Sequence, residues 1–107
     1  MSPKPPYFLK FAPEAIGHLN WIEQKYHNLI RQTLREQLIH TPDIETRNRK
    51  ILDQPAPYGA TWELRFGPNN RYRVFYEINS EHGEVWILAI GKKEGNRLFI
   101  GGEEYTG

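Results

Sequence analysis

From Trp62 onward apolar and polar residues alternate. Trp62, Leu64 and Phe66 are interleaved with Glu63 and Arg65, the period of two expected of a half-buried strand. Gly67-Pro68-Asn69-Asn70 then supplies turn chemistry. Residues 71 to 78 predict a second strand, with Tyr72, Val74, Tyr76 and Ile78 on one face and Arg71, Arg73, Phe75 and Glu77 on the other. After another turn at Asn79-Ser80-Glu81-His82-Gly83, residues 85 to 90 (VWILAI) are apolar at every position. That predicts a strand inside the sheet, covered on both sides. Three strands joined by tight turns make an antiparallel meander.

The first half of the chain has a different period. Residues 7 to 11 (YFLKF) predict a short strand. Pro13 suits the first turn of a helix, where its missing N–H is not needed. Ile16, Leu19, Ile22 and Tyr26 form one apolar stripe. A second stripe, Ile30, Leu34 and Leu38 with Thr33 and Gln37 beside it, predicts another helix that ends near Thr41, because Pro42 cannot continue it. Residues 42 to 61 read as a long connection with one extended stretch around Ile51 and Leu52. The helical hairpin needs an apolar surface, and the face carrying Leu64, Val74, Tyr76 and Ile78 offers one. The expectation is a single α+β domain over residues 1–107.

Composition narrows the chemistry. A chain of 107 residues buries about 60–70% of its unfolded surface, enough for a core without staples. Cysteine is absent, which excludes disulfides, Cys-ligated zinc, iron–sulfur clusters and thiol nucleophiles. No apolar run approaches the roughly 20 residues of a membrane span. The N-terminus, with three prolines in its first six residues, lacks the apolar stretch of a signal peptide. The expectation is a soluble, cytoplasmic protein without a membrane partner. His18, His27, His40 and His82 show no metal-ligand spacing and read as surface or helix-boundary residues. The glycines form no phosphate-binding fingerprint, and Trp21, Trp62 and Trp86 read as core or core-edge residues. Neither a metal nor a cofactor is expected.

The formal net charge is only +1, from 14 basic and 13 acidic residues, which argues against a uniformly basic nucleic-acid binder. Its distribution changes that. Between Arg47 and Arg73 there are six basic residues against two acidic ones, Asp53 and Glu63, so this stretch is +4 and the remainder −3. Period-two geometry puts Glu63, Arg65, Arg71, Arg73 and Phe75 on the sheet face opposite the helices, expected to be open. Arg47, Arg49 and Lys50 lie in the preceding loop, and Lys92, Lys93 and Arg97 are available to join them. Guanidinium groups beside aromatics suit a phosphodiester, because Arg gives bidentate hydrogen bonds and stacks on bases. The plainer alternative is that these arginines only solvate the exposed face of a half-buried sheet.

The segments TRNRKIL (46 to 52), WELRFGPNNRYRVFYEI (62 to 78) and VWILAIGKKEGNRLFI (85 to 100) resemble the RelE/ParE superfamily of toxins from bacterial type II toxin–antitoxin modules. The resemblance implies two helices packed on a curved, mainly antiparallel sheet of four to five strands. For RelE-like members it also implies a ribosome-dependent, metal-independent endoribonuclease that cuts mRNA in the ribosomal A site and is neutralised by a cognate antitoxin. By position it makes Arg65, Arg73 and Lys93 catalytic through charge stabilisation. Arg47, Arg49, Lys50, Arg71, Lys92 and Arg97 would be RNA-binding. Glu63 stands where RelE has a strand lysine and Phe99 where RelE has a C-terminal tyrosine, which leaves Glu63, His82 and Tyr105 as candidates for proton transfer, with Glu103 also in reach. The alternatives are a ParE-like toxin that inhibits DNA gyrase, or an inactive homologue that only binds its antitoxin. Removal of Arg73 from an open face is expected to relieve toxicity with little loss of stability.

Overall fold

The computed structural model describes residues 5–107. Its elements run β1 (Phe8–Phe11), α1 (Pro13–His18), α2 (His27–Leu38), β2 (Arg49–Ile51), β3 (Trp62–Phe66), β4 (Tyr72–Asn79), β5 (Glu84–Glu94), β6 (Arg97–Ile100) and β7 (Glu103–Glu104). The strands form one sheet in the order β2-β3-β4-β5-β6-β7, with every neighbouring pair antiparallel. β1 adds to β5 in parallel, Phe8 opposite Glu84. The α+β architecture and the meander β3-β4-β5 match the sequence pattern. The seven strands exceed the expected four to five because the three-residue β2 and the two-residue β7 are too short to carry a period.

The first helix departs from its pattern. Pro13 does open α1, but the helix lasts six residues and is followed by 3₁₀ turns at Leu19–Trp21 and Gln24–Tyr26. Between those turns Ile22 is extended (φ −116°, ψ 136°). A continuous helix cannot pass through such a residue, so the stripe breaks. Ala15, His18 and Ile22 are buried, while Ile16 is 57% exposed. The break is pinned by His27, whose Nε2 lies 2.9 Å from both the Leu19 and Ile22 carbonyl oxygens. α2 buries Ile30, Leu34 and Leu38 as the second stripe requires, and ends at Leu38, a few residues before Pro42.

The main core lies between the helices and the sheet face carrying Trp62, Leu64, Val74, Tyr76, Val85 and Ile87. Tyr76 stacks on Trp62 and donates its hydroxyl to the carbonyl of Pro42 at 2.7 Å. The ladder shifts register between Phe75 and Tyr76, whose partners are Ala89 and Ile87, so Leu88 is the extra residue of a β-bulge. The bulge reverses the parity of β5. Ile90 joins Ile87 in the helix-side core, while Ala89 turns to the other face.

That other face is only partly open. Phe75, Ala89, Ala60 and Ile100 form a second small core, with Leu52, Leu98 and Tyr105 packed against it. The connection after β2 and the C-terminal residues cover part of the surface that a two-layer reading leaves to solvent. Basic residues occupy the uncovered end.

Candidate nucleic-acid interface

Arg65 and Arg73 are cross-strand partners on β3 and β4, side by side on the face away from the helices. Glu63 lies two residues before Arg65 on the same face. Its Oε1 accepts from Arg65 Nε at 2.7 Å and its Oε2 from Arg73 Nη1 at 3.5 Å. The Glu63 and Arg73 side chains are 8% and 11% exposed, that of Arg65 34%. Arg73 also donates from Nε to the carbonyl of Asn70 at 3.0 Å. Burial pulls the Arg73 guanidinium below its ordinary value, Glu63 pushes it back up, and Arg65 again lowers it. It still carries full charge at neutral pH.

Arg71, Arg73 and Lys93 line one depression together with Asn69, Glu94 and Gly95. The Gly67–Asn70 turn shapes one wall. Gly67, Asn69 and Asn70 all have positive φ, conformations that Gly and Asn accept most readily. The Lys93 N–H donates to the carbonyl of Arg71 at 2.7 Å, tying the far end of β5 to the start of β4. The depression therefore presents Arg71, Arg73 and Lys93, with Arg65 next to it across the ladder. Such a group can neutralise a phosphate from several sides. Among the described residues no three His, Asp or Glu side chains are grouped to hold a metal ion.

The family model for the ParE toxin of the type II toxin–antitoxin system parDE matches residues 9–97. The chain belongs to the ParE toxin family. The toxin's fold is also found in the crystal structure of the toxin–antitoxin complex RelBE2 from Mycobacterium tuberculosis, with a TM-score of 0.62 and 24% identity over 82% of this chain and 99% of that one. No curated protein sequence gives a significant match. The family match ends before Tyr105, which packs against the Phe75 cluster on the arginine side of the toxin's sheet.

The remaining predicted residues divide sharply. Arg47 and Lys50 are exposed. Arg49 is not available to RNA. It is 6% exposed and donates to the carbonyls of Ile44 and Gln37, to Gln37 Oε1 and to Thr41 Oγ1, fastening the end of α2 to β2. Lys92 points to the opposite side of the sheet from Lys93, because neighbours on a strand alternate. It lines a cleft with His18 and Trp21 and pairs with Glu94 at 3.3 Å. Arg97 lies over the Phe99 ring and is held by Glu104 at 2.8 Å. That pairing raises Arg97 and lowers Glu104 from their ordinary values. Phe99 lines the same cleft as Lys92, so its ring is on the other side from Arg73.

Of the proton-transfer candidates, Glu63 touches both arginines. His82 sits in the β4–β5 turn, nine residues after Arg73 and beyond the end of β4 at Asn79, which is itself about 20 Å along the strand from Arg73. It takes no part in the site. Glu103 is exposed on β7 at the sheet's outer edge. Two contributors escape a reading of charge alone. Asn48 pins the Arg65 backbone by exchanging two hydrogen bonds with it, each 2.8 Å, and Asn70 orients Arg73. The Asn69-Asn70 pair is visible in sequence only as a turn.

His18 fills a gap in the toxin's sheet. β5 pairs with β1 at one end and β6 at the other, and between them its edge is unpaired. There the Ile90 N–H donates to His18 Nδ1 at 3.2 Å, and Tyr58 packs edge-on against the imidazole. Burial lowers the His18 pKa, with Glu14 pulling weakly the other way.

Proposed function

We propose that this toxin is a ribosome-dependent endoribonuclease that cleaves mRNA in the A site, thereby inhibiting translation, and that a cognate antitoxin neutralises it. The observation that carries this reading is the grouping of Arg65, Arg71, Arg73 and Lys93 at one end of the sheet, with the Glu63 carboxylate against two of them. In the reaction the 2′-oxygen bonds to the adjacent phosphorus and the bond to the 5′-oxygen breaks. The products are a 2′,3′-cyclic phosphate and a 5′-hydroxyl. Arg73 and Lys93 would neutralise the phosphoryl oxygens, and Arg65 would hold the adjoining phosphate. Glu63 is the carboxylate placed to take the 2′-hydroxyl proton, which requires it to loosen its bond to Arg65. Tyr105, packed on the same face, would give a proton to the leaving 5′-oxygen. The exposed Arg47 and Lys50 would follow the RNA backbone. The scheme uses side chains alone.

The antitoxin reading has its own support. A groove between β1 and α2 is lined by Leu9, Phe11, Leu34 and Ile39 and bordered by Arg31 and Arg35. It suits an amphipathic segment with acidic flanks. Co-purification of the toxin with the product of the neighbouring reading frame tests that partnership.

Primer extension on mRNA after induction tests the main reading. Defined cut sites that disappear with Arg73→Ala support it. Growth arrest without cuts, together with inhibited supercoiling by gyrase, would establish the second reading instead. That reading is favoured by the family name and by Glu63, which cancels part of the charge presented to a phosphate.

A further inference from the structure

On the helix side of the sheet, beyond the end of the helical layer, lies a cleft of about 190 Å³ lined by Trp21, Phe99, Lys92, Glu94, Gly101 and Gly102. We propose that this cleft is a binding site for a single guanine base. The proposal rests on the RNA reading only for where that base comes from.

Size points to one planar ring system. The volume is below the roughly 300–1,000 Å³ of sites for drug-sized ligands. Trp21 supplies a surface for stacking. It is 64% exposed, and its six-membered ring packs against Gly102. A Cβ on Gly102 would sit 2.5 Å from Trp21 Cε3, so only glycine permits the approach. Unstacked bases are held in this way, on an aromatic face with hydrogen bonds at their edge.

The polar groups choose the base. Lys92 Nζ and Glu94 Oε1 lie 3.3 Å apart and both line the cleft. A carboxylate beside an ammonium complements guanine, whose N1–H and 2-amino group donate while the neighbouring O6 accepts. Adenine presents no second donor to the carboxylate and no carbonyl to the lysine. Glu94 also borders the depression that holds Arg71, Arg73 and Lys93. A strand with its phosphate there can turn a neighbouring base around the β5–β6 hairpin into the cleft.

The test is titration of isotopically labelled protein with GMP, IMP, AMP, CMP and UMP, followed through the amide signals of Lys92, Gly101 and Gly102. Saturable shifts are expected with GMP, with weaker binding of IMP, which lacks the 2-amino group. Trp21→Ala should weaken GMP binding about tenfold or more. Glu94→Gln, at an exposed position, should abolish the preference for GMP over AMP. Absence of saturation at those amides, or equal binding of AMP, overturns the proposal. So does a response of these amides to the antitoxin and not to GMP, which would make the cleft a protein contact. A toxin that binds GMP here yet cuts no mRNA overturns the nuclease reading alone. One that cuts mRNA without binding GMP here overturns this proposal alone.

Discussion

Arg65 and Arg73 stand directly opposite each other on neighbouring strands, and one carboxylate, Glu63, bonds to both. Like charges opposed across a ladder destabilise it. Glu63 offsets that repulsion and fixes where the two guanidinium groups point, so the acidic residue is part of the basic site.

Glu63→Gln should therefore lower stability despite raising the net positive charge of the face. Breaking a buried ion pair costs about 3–5 kcal/mol. Arg65 is partly solvated, which reduces the expectation to about 1–3 kcal/mol. Urea denaturation measures it. A stability equal to that of the parent protein would show that the two arginines need no counter-ion.

Arg73→Ala should relieve growth inhibition, but not at negligible structural cost. The side chain is 11% exposed and bonded to Glu63 and Asn70, so a loss of about 1–2 kcal/mol is expected alongside the functional loss. Arg71→Ala and Lys93→Ala separate the two effects. Both should reduce toxicity while leaving the denaturation midpoint nearly unchanged.

Arg49 and its neighbours should behave oppositely. Arg49→Ala removes four hydrogen bonds to a charged group, and a loss of about 3 kcal/mol or more is expected in thermal or urea denaturation. Arg47→Ala and Lys50→Ala should stay within about 0.5 kcal/mol of the parent. They should instead weaken RNA binding and flatten its salt dependence. A stable Arg49→Ala protein would remove the structural role assigned to that residue.

His18 predicts a pH dependence of stability. Nδ1 accepts a hydrogen bond from Ile90 and must be unprotonated to do so. Its pKa in the folded protein is lowered from the ordinary 6.5, chiefly by burial. Stability is thus complete above pH 6.5 and is lost as the pH falls below it through the lowered folded value. Denaturation midpoints measured between about pH 7 and pH 5 should fall, and fall less in His18→Asn. Equal slopes in the two proteins would assign the dependence to other groups.

The strands of the meander were readable because one buried face imposes a strict period on Trp62, Leu64, Val74 and Tyr76. Arg65 and Arg73 share a face for the same reason, whereas Lys93 joins them only because the bulge at Leu88 reverses the parity of β5, which no period in the sequence shows. What the pattern could not carry was tertiary. A helix-length stripe from Ile16 to Tyr26 is interrupted by one extended residue, Ile22, that His27 holds in place. Lys92 and Lys93 are adjacent in sequence and lie on opposite sides of a sheet. Arg49 reads as a loop cation, and its burial depends on carbonyls contributed by α2 and the residues after it. The second core around Phe75 requires Ala60 and Tyr105 to arrive from distant segments. In each case the deciding partner is remote along the chain.

Because β1 lies parallel to β5, Phe8 has no sheet partner until Glu84 has been made. Such distant pairings close slowly. A ribosome synthesising this chain therefore extrudes its N-terminal strand and both helices long before the surface they cover is complete. Lys93 joins Arg71 later still. The group proposed to carry the toxicity is complete only once Lys93 has been made, and a partner that captures the early segments would meet the chain before that group exists.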